Sequence, residues 1–140
     1  MLNPIPPEPP ADPFKFTTIA HHDRVLLGPV SEAGVDDLLA RVSPEATPHP
    51  PRGLGVGCGK GEMLLRAMER LNGSGVGVDP NPSFIAAARA RAHRRVPTGA
   101  LTLMQSRLEQ VSLPAGQFAL LVCAGATHAF GDFGAALQQA

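Results

Sequence analysis

The chain has no tryptophan and no tyrosine, and its aromatic content rests on six phenylalanines. It therefore offers no ring set for stacking on a sugar and no aromatic cage for a cation. Cysteine is scarce: Cys58 and Cys123 stand far apart, which excludes a disulfide framework and suits a reducing, cytoplasmic setting. The pair reads as small buried hydrophobes. Charge is balanced, with 12 Lys+Arg against 12 Asp+Glu. That argues against the electrostatic footprint of a nucleic-acid binder. The arginines at 89, 91, 94 and 95 read instead as the solvated end of a helix, where cations complement the dipole. No apolar run reaches the length of about 18 residues needed to span a bilayer, and Met1-Leu2-Asn3-Pro4 lacks the regions of a secretory signal. The five histidines and two cysteines show none of the close spacings of a zinc site, so no metal is expected.

What remains is compatible with one folded domain of 140 residues, 44% hydrophobic. Pro4, Pro6, Pro7, Pro9, Pro10 and Pro13 block helix and sheet pairing, so residues 1–13 read as an extended tail. Residues 14–51 form a helical lead-in and linker. Within it Ser31 can cap a helix over 31–42 with Val35, Leu38, Leu39 and Val42 as its apolar stripe. Prolines 44, 48, 50 and 51 end that helix. From residue 52 strands and helices alternate. Strands are predicted at Gly53–Gly57, Gly75–Asp79, Leu101–Met104 and Phe118–Cys123. Helices are predicted at Lys60–Leu71, with Met63, Leu64, Ala67, Met68 and Leu71 inward, and at Pro82–Arg95. Asp132 can cap a last one running to Ala140. This alternation predicts an α/β fold, a Rossmann-like parallel sheet with helices on both faces and right-handed crossovers.

The densest signal is Leu-Gly-Val-Gly-Cys-Gly-Lys-Gly at 54–61, followed about 20 residues later by Asp79. A strand ending in glycines lets backbone approach a bulky ligand closely. An acid at the tip of the next strand is placed to grip a ribose. The dinucleotide pattern G-x-G-x-x-G fails, because Glu62 occupies its third glycine. The phosphate loop G-x-x-x-x-G-K-S/T fails as well, since Leu54 replaces its first glycine and Gly61 its hydroxyl. Glu62 would also repel a pyrophosphate. The loop suits a neutral or zwitterionic cofactor.

Several segments together resemble the class I S-adenosylmethionine-dependent methyltransferases. They are Gly-Val-Gly-Cys-Gly-Lys-Gly-Glu (55–62), Gly-Val-Gly-Val-Asp (75–79), the helix from Asn81 to Arg89, and 118–131. Residues 16–21 resemble the lead-in of some small-molecule members. The resemblance implies S-adenosylmethionine as cofactor and methyl transfer to a small molecule. It places the cofactor on Gly57, Cys58, Gly59 and Gly61, on Asp79 and Pro80, on Arg107 and Leu108, and on Cys123. Three positions depart from the family pattern: Gly55, Arg107 and Ala119 each stand where an acid is usual. Arg107 cannot accept from an adenine amine and would stack on the ring instead. His128, after the fourth strand, is the candidate general base, since imidazole titrates near neutrality. A structural role for this lone histidine stays open. His21 and His22 read as surface residues, as do the acids Glu62, Glu69 and Glu109.

The family carries seven strands, and four are legible here. The resemblance therefore implies a partial domain over 52–140, cut short after strand four or completed by another chain. The family order, beginning 3-2-1-4, would leave strand four as an open edge that invites self-association. A non-catalytic remnant that at most binds the cofactor is the alternative reading.

Overall fold

The computed structural model describes residues 11–42, 50–131, 134–135 and 138. The expectations for the tail up to residue 10, for the linker prolines 44 and 48, and for a helix capped by Asp132 lie outside them. The elements run α1 (Lys15–Ala20), α2 (Glu32–Ala40), β1 (Arg52–Val56), α3 (Glu62–Leu71), β2 (Ser74–Asp79), α4 (Pro82–Arg95), β3 (Leu101–Gln105) and β4 (Leu120–Val122). Short 3-10 turns follow β3 at Leu108–Gln110 and β4 at Thr127–Phe130. All strand pairs are parallel, in the order β3-β2-β1-β4. The sheet is thus the Rossmann-like one that the alternating pattern predicts. Among the described residues no helix is long and apolar enough to cross a membrane.

Glycines decide how the layers meet. Gly53 pairs with Gly75 and Gly55 with Gly77, so four side-chain-free positions share one face of the central strands. A Cβ at Gly53 would come within 2.7 Å of Met68 Cε, and one at Gly55 within 3.2 Å of Leu64 Cδ2. The glycines that weaken these strands in isolation therefore let α3 settle directly onto backbone.

Helix α3 is buried on two sides. Leu64, Ala67 and Met68 join Val35 and Leu39 of α2. Leu65 turns to Ile85, Ala88 and Ala92 of α4 and to Leu103 of β3. Fully burying a Leu or Met contributes about 2 kcal/mol, so α3 is the main hydrophobic anchor of the fold. Leu65 is absent from the stripe predicted by sequence, because that stripe assumed one buried face. Met63 and Leu71 are only partly buried, and Leu38 of α2 is 53% exposed. The opposite face of the sheet carries Leu54 and Leu121, which line a groove of about 740 Å³ with Leu108, Val111, Leu113 and Phe130.

Boundaries moved for local reasons. Helix α3 begins at Glu62 rather than Lys60, since Gly59 and Gly61 hold φ values of +55° and +76°. Strand β4 covers three residues, because its pairing with β1 is limited to Gly53–Gly55. Helix α1 gave no periodic signal, and it buries no residue.

Candidate functional site

Every loop at the C-terminal ends of the four strands opens on one cleft of about 610 Å³. Gly57 and Gly59 contribute after β1, Asp79, Pro80 and Asn81 after β2, Ser106 to Glu109 after β3, and Ala124 to Ala126 with His128 and Ala129 after β4. Phe14, Thr17, His21, Leu27 and Gly28 of the N-terminal segment wall it from above. The strand order reverses direction between β1 and β4, which is where open α/β sheets place their ligands.

Gly57, Gly59 and Gly61 all take left-handed backbone, with φ between +55° and +76°. At two of them close approach is the second constraint. A Cβ on Gly57 would overlap the Ala126 methyl, and one on Gly59 would overlap Leu27. Asp79, at the tip of β2, is buried at 8% exposure, and its carboxylate reaches this bend. Oδ2 accepts from the Gly59 amide at 2.8 Å, and Oδ1 accepts from the Asn81 amide at 2.9 Å. Each oxygen keeps further acceptor capacity.

Two more of the loop's amides are bonded within the protein. Cys58 N donates to Val78 O at 3.0 Å and Gly61 N to Cys58 O at 2.8 Å. Lys60 turns its ammonium away to three backbone carbonyls. With these amides committed and the ammonium turned away, the loop is not the phosphate cradle that a Gly-Lys pair would form. The failure of the phosphate-loop pattern is thus physical as well as textual.

A family model described as a methyltransferase domain matches residues 54–140. The chain belongs to that family. A methyltransferase from Geobacter sulfurreducens superposes with a TM-score of 0.77 at 23% identity, over 89% of this chain and 48% of that one. One from Thiobacillus denitrificans gives 0.78 at 21% identity, again over 89% and 48%. YjhP from E. coli gives 0.74 at 24% identity, over 89% and 49%. The chain therefore spans about half the length of these structures and shares their fold. No curated protein matches it at a significant level.

Within this methyltransferase domain the expected site residues divide. Gly57, Gly59, Asp79, Pro80, Arg107, Leu108 and His128 all line the cleft. Cys58, Gly61 and Cys123 do not. Cys58 lies under the loop, with Sγ 3.0 Å from where a Gly77 Cβ would sit. Burial, with the Asp79 charge added, pushes its thiol up to about 12. Burial raises Cys123 as well. Gly61 serves packing, since a Cβ there would sit 3.0 Å from the Ala88 methyl. Arg107 and His128 are exposed at the rim, and the His128 ring makes no hydrogen bond among the described residues.

Three readings by sequence need correction. Glu62 is not a surface acid: it is 5% exposed, bonded to Arg66 Nε at 2.7 Å and to Arg95 Nη1 at 2.8 Å. Burial alone would raise its pKa, but the hydrogen bonds from Arg66 and Arg95 outweigh that and hold it below the ordinary carboxylate value. Arg95, though still partly in solvent, is accordingly tied to Glu62 and Glu69. His21 is no loose surface residue either. Its ring meets Phe84 edge-on at 6.2 Å, and its Nε2 lies 3.1 Å from Leu27 O.

Sequence reading also passed over Asn81, 2% exposed. Its Oδ1 caps α4 by accepting from Ser83 and Phe84 amides, while its Nδ2 donates to Thr18 Oγ1 at 3.0 Å. The Asp-Pro-Asn-Pro turn held the signal: an Asn directly before a helix-starting proline is a cap. Among the described residues no group of three or more His, Cys, Asp or Glu is placed to hold a metal ion.

Proposed function

We propose that the cleft binds S-adenosylmethionine and that the domain transfers its methyl group to a small molecule. One observation carries most of this reading: the Asp79 carboxylate and the bare backbone of Gly57 and Gly59 meet inside a single cleft at the strand ends. The cleft volume lies in the usual range for small-molecule sites.

The residues fit the cofactor. Asp79 would accept from the ribose hydroxyls with its remaining lone pairs. Gly57 and Gly59 would admit the methionyl portion where any Cβ would exclude it. Leu108 would meet the adenine face by apolar contact, and the Arg107 guanidinium would stack on it. Bound S-adenosylmethionine supplies an electrophilic methyl group suited to in-line displacement. On the opposite lip, an imidazole nitrogen of His128 would take the proton of the acceptor hydroxyl or amine. The thiols are poor candidates for that work, since burial keeps both protonated. Balanced charge supports a partner other than nucleic acid, and the free cysteines support a cytoplasmic, reducing setting.

S-adenosyl-L-homocysteine accompanies the Geobacter and Thiobacillus structures and is the natural probe. Calorimetric titration should give heat with it and none with NAD. Asp79→Asn, which keeps the shape and removes the charge, should weaken binding by roughly 10- to 100-fold, the loss of one to two charge-assisted hydrogen bonds. Absence of heat with the wild-type chain would overturn the reading. Binding without turnover on any small acceptor would favour a domain that holds the cofactor without catalysis. Gly55, Arg107 and Ala119, each standing where the family pattern has an acid, support that second reading.

A further inference from the structure

Lys60 sits inside the glycine loop yet does not face the cleft, and it is 7% exposed. Its ammonium donates to His21 O at 2.5 Å, His22 O at 2.8 Å and Arg24 O at 2.8 Å. Three carbonyls satisfy all three N–H groups, which is what a buried ammonium requires. The carbonyls belong to the turn that leaves α1, some 40 residues away in sequence. Directly after that turn Leu27 packs onto Gly59, and His21, Leu27 and Gly28 wall the cleft. The neighbouring charges are Arg91, which donates to Lys60 O at 3.1 Å, and Asp23.

We propose that Lys60 is a positioning residue that couples the 21–28 segment to the occupied cleft. It is joined by peptide bonds to Gly59, whose amide is fixed by Asp79. A shift of the strap therefore pulls on the same backbone that a ligand must approach, and a ligand seated against Gly57 and Gly59 holds the strap down. This rests on the reading that the cleft takes an S-adenosyl ligand. Lowering of the Lys60 pKa by burial, with Arg91 adding to it, agrees with an amine shut away from solvent.

The chain's only lysines are Lys15 and Lys60, so amine labelling reads the clamp with an internal control. Trypsin reads it independently. The Arg24 carbonyl is the one a protease must extract, and Lys60 holds it. On the wild-type chain, acetylation should modify Lys15 at least about tenfold faster than Lys60, since thiol and amine reactivity both follow exposure of the free base. Saturating S-adenosylhomocysteine should slow both Lys60 labelling and cleavage at Arg24, and leave Lys15 unchanged. Lys60→Met should bind that ligand about tenfold more weakly and be cut at Arg24 faster than wild type. If Lys60→Met does not fold, the wild-type labelling decides alone. Ligand binding that leaves Lys60 labelling and Arg24 cleavage unchanged would overturn the clamp while sparing the cofactor reading. A wild-type chain giving no heat with the ligand would overturn both.

Discussion

A single carboxylate organises the cleft, because Asp79 fixes the glycine bend with one oxygen and the start of α4 with the other. The bend itself tolerates no side chain. Gly57→Ala would combine a left-handed backbone with overlap on Ala126. Those penalties sum to about 3 kcal/mol, so its Tm should fall on the order of 10 °C and its affinity for S-adenosylhomocysteine should be lost. Thermal melts beside titration would check both. Because the Cys58, Gly59 and Gly61 amides are already bonded internally and the Lys60 ammonium is turned away, a polyphosphate finds those donors taken. ATP at millimolar concentration should therefore not compete with S-adenosylhomocysteine, which a displacement titration would test. These side-chain-free positions were legible in the alternating glycines. Lys60 was legible only as a failed phosphate loop, since nothing in its neighbours shows that the ammonium points to a distant turn.

Helices α2, α3 and α4 are joined by an ionic network centred on buried Glu62 as well as by apolar contact. Arg66 of α3 reaches Glu32 and Asp36 of α2, and Arg95 of α4 reaches Glu62 and Glu69 of α3. Glu62 is the member both arginines share. Glu62→Gln removes the charge that both arginines share, while Arg66 keeps Glu32 and Asp36 and Arg95 keeps Glu69, and should cost about 2 kcal/mol near neutral pH. A carboxylate whose folded pKa lies below its unfolded one adds stability above the unfolded value. That stability is lost as pH falls through the folded value. The gap in Tm between wild type and Glu62→Gln should thus be full above the ordinary carboxylate value of about 4.3 and shrink as pH falls below it, as melts at stepped pH would show. The strands and helices themselves were readable from alternation, and α4 almost to the residue, from Pro82 and its trailing arginines. Helix α3 was read with one inner face because periodicity reports hydrophobic spacing. It cannot report that α2 and α4 would press on it from different sides, which is how Leu65 escaped notice and Glu62 was read as a surface acid. Helix α1 escaped for a simpler reason, having no buried side chain to leave a pattern.

Across the whole molecule the sheet is asymmetric. Strand β3 ends one side and three-residue β4 the other, beside the apolar groove lined by Leu54, Leu121 and Phe130. An unpaired edge next to apolar surface favours association. Sedimentation of the 140-residue chain should accordingly show concentration-dependent self-association. A clean monomer that unfolds cooperatively would contradict this. The cleft's walls come from residues 14–28 at one end of the described chain and 124–129 at the other, closed over strands formed between them. During synthesis the early wall must wait, unanchored, for Lys60 and then for the last loop. Closure of the cleft therefore waits for the loop after β4, and a nascent chain stalled before Ala124 would hold most of its sheet without a complete pocket.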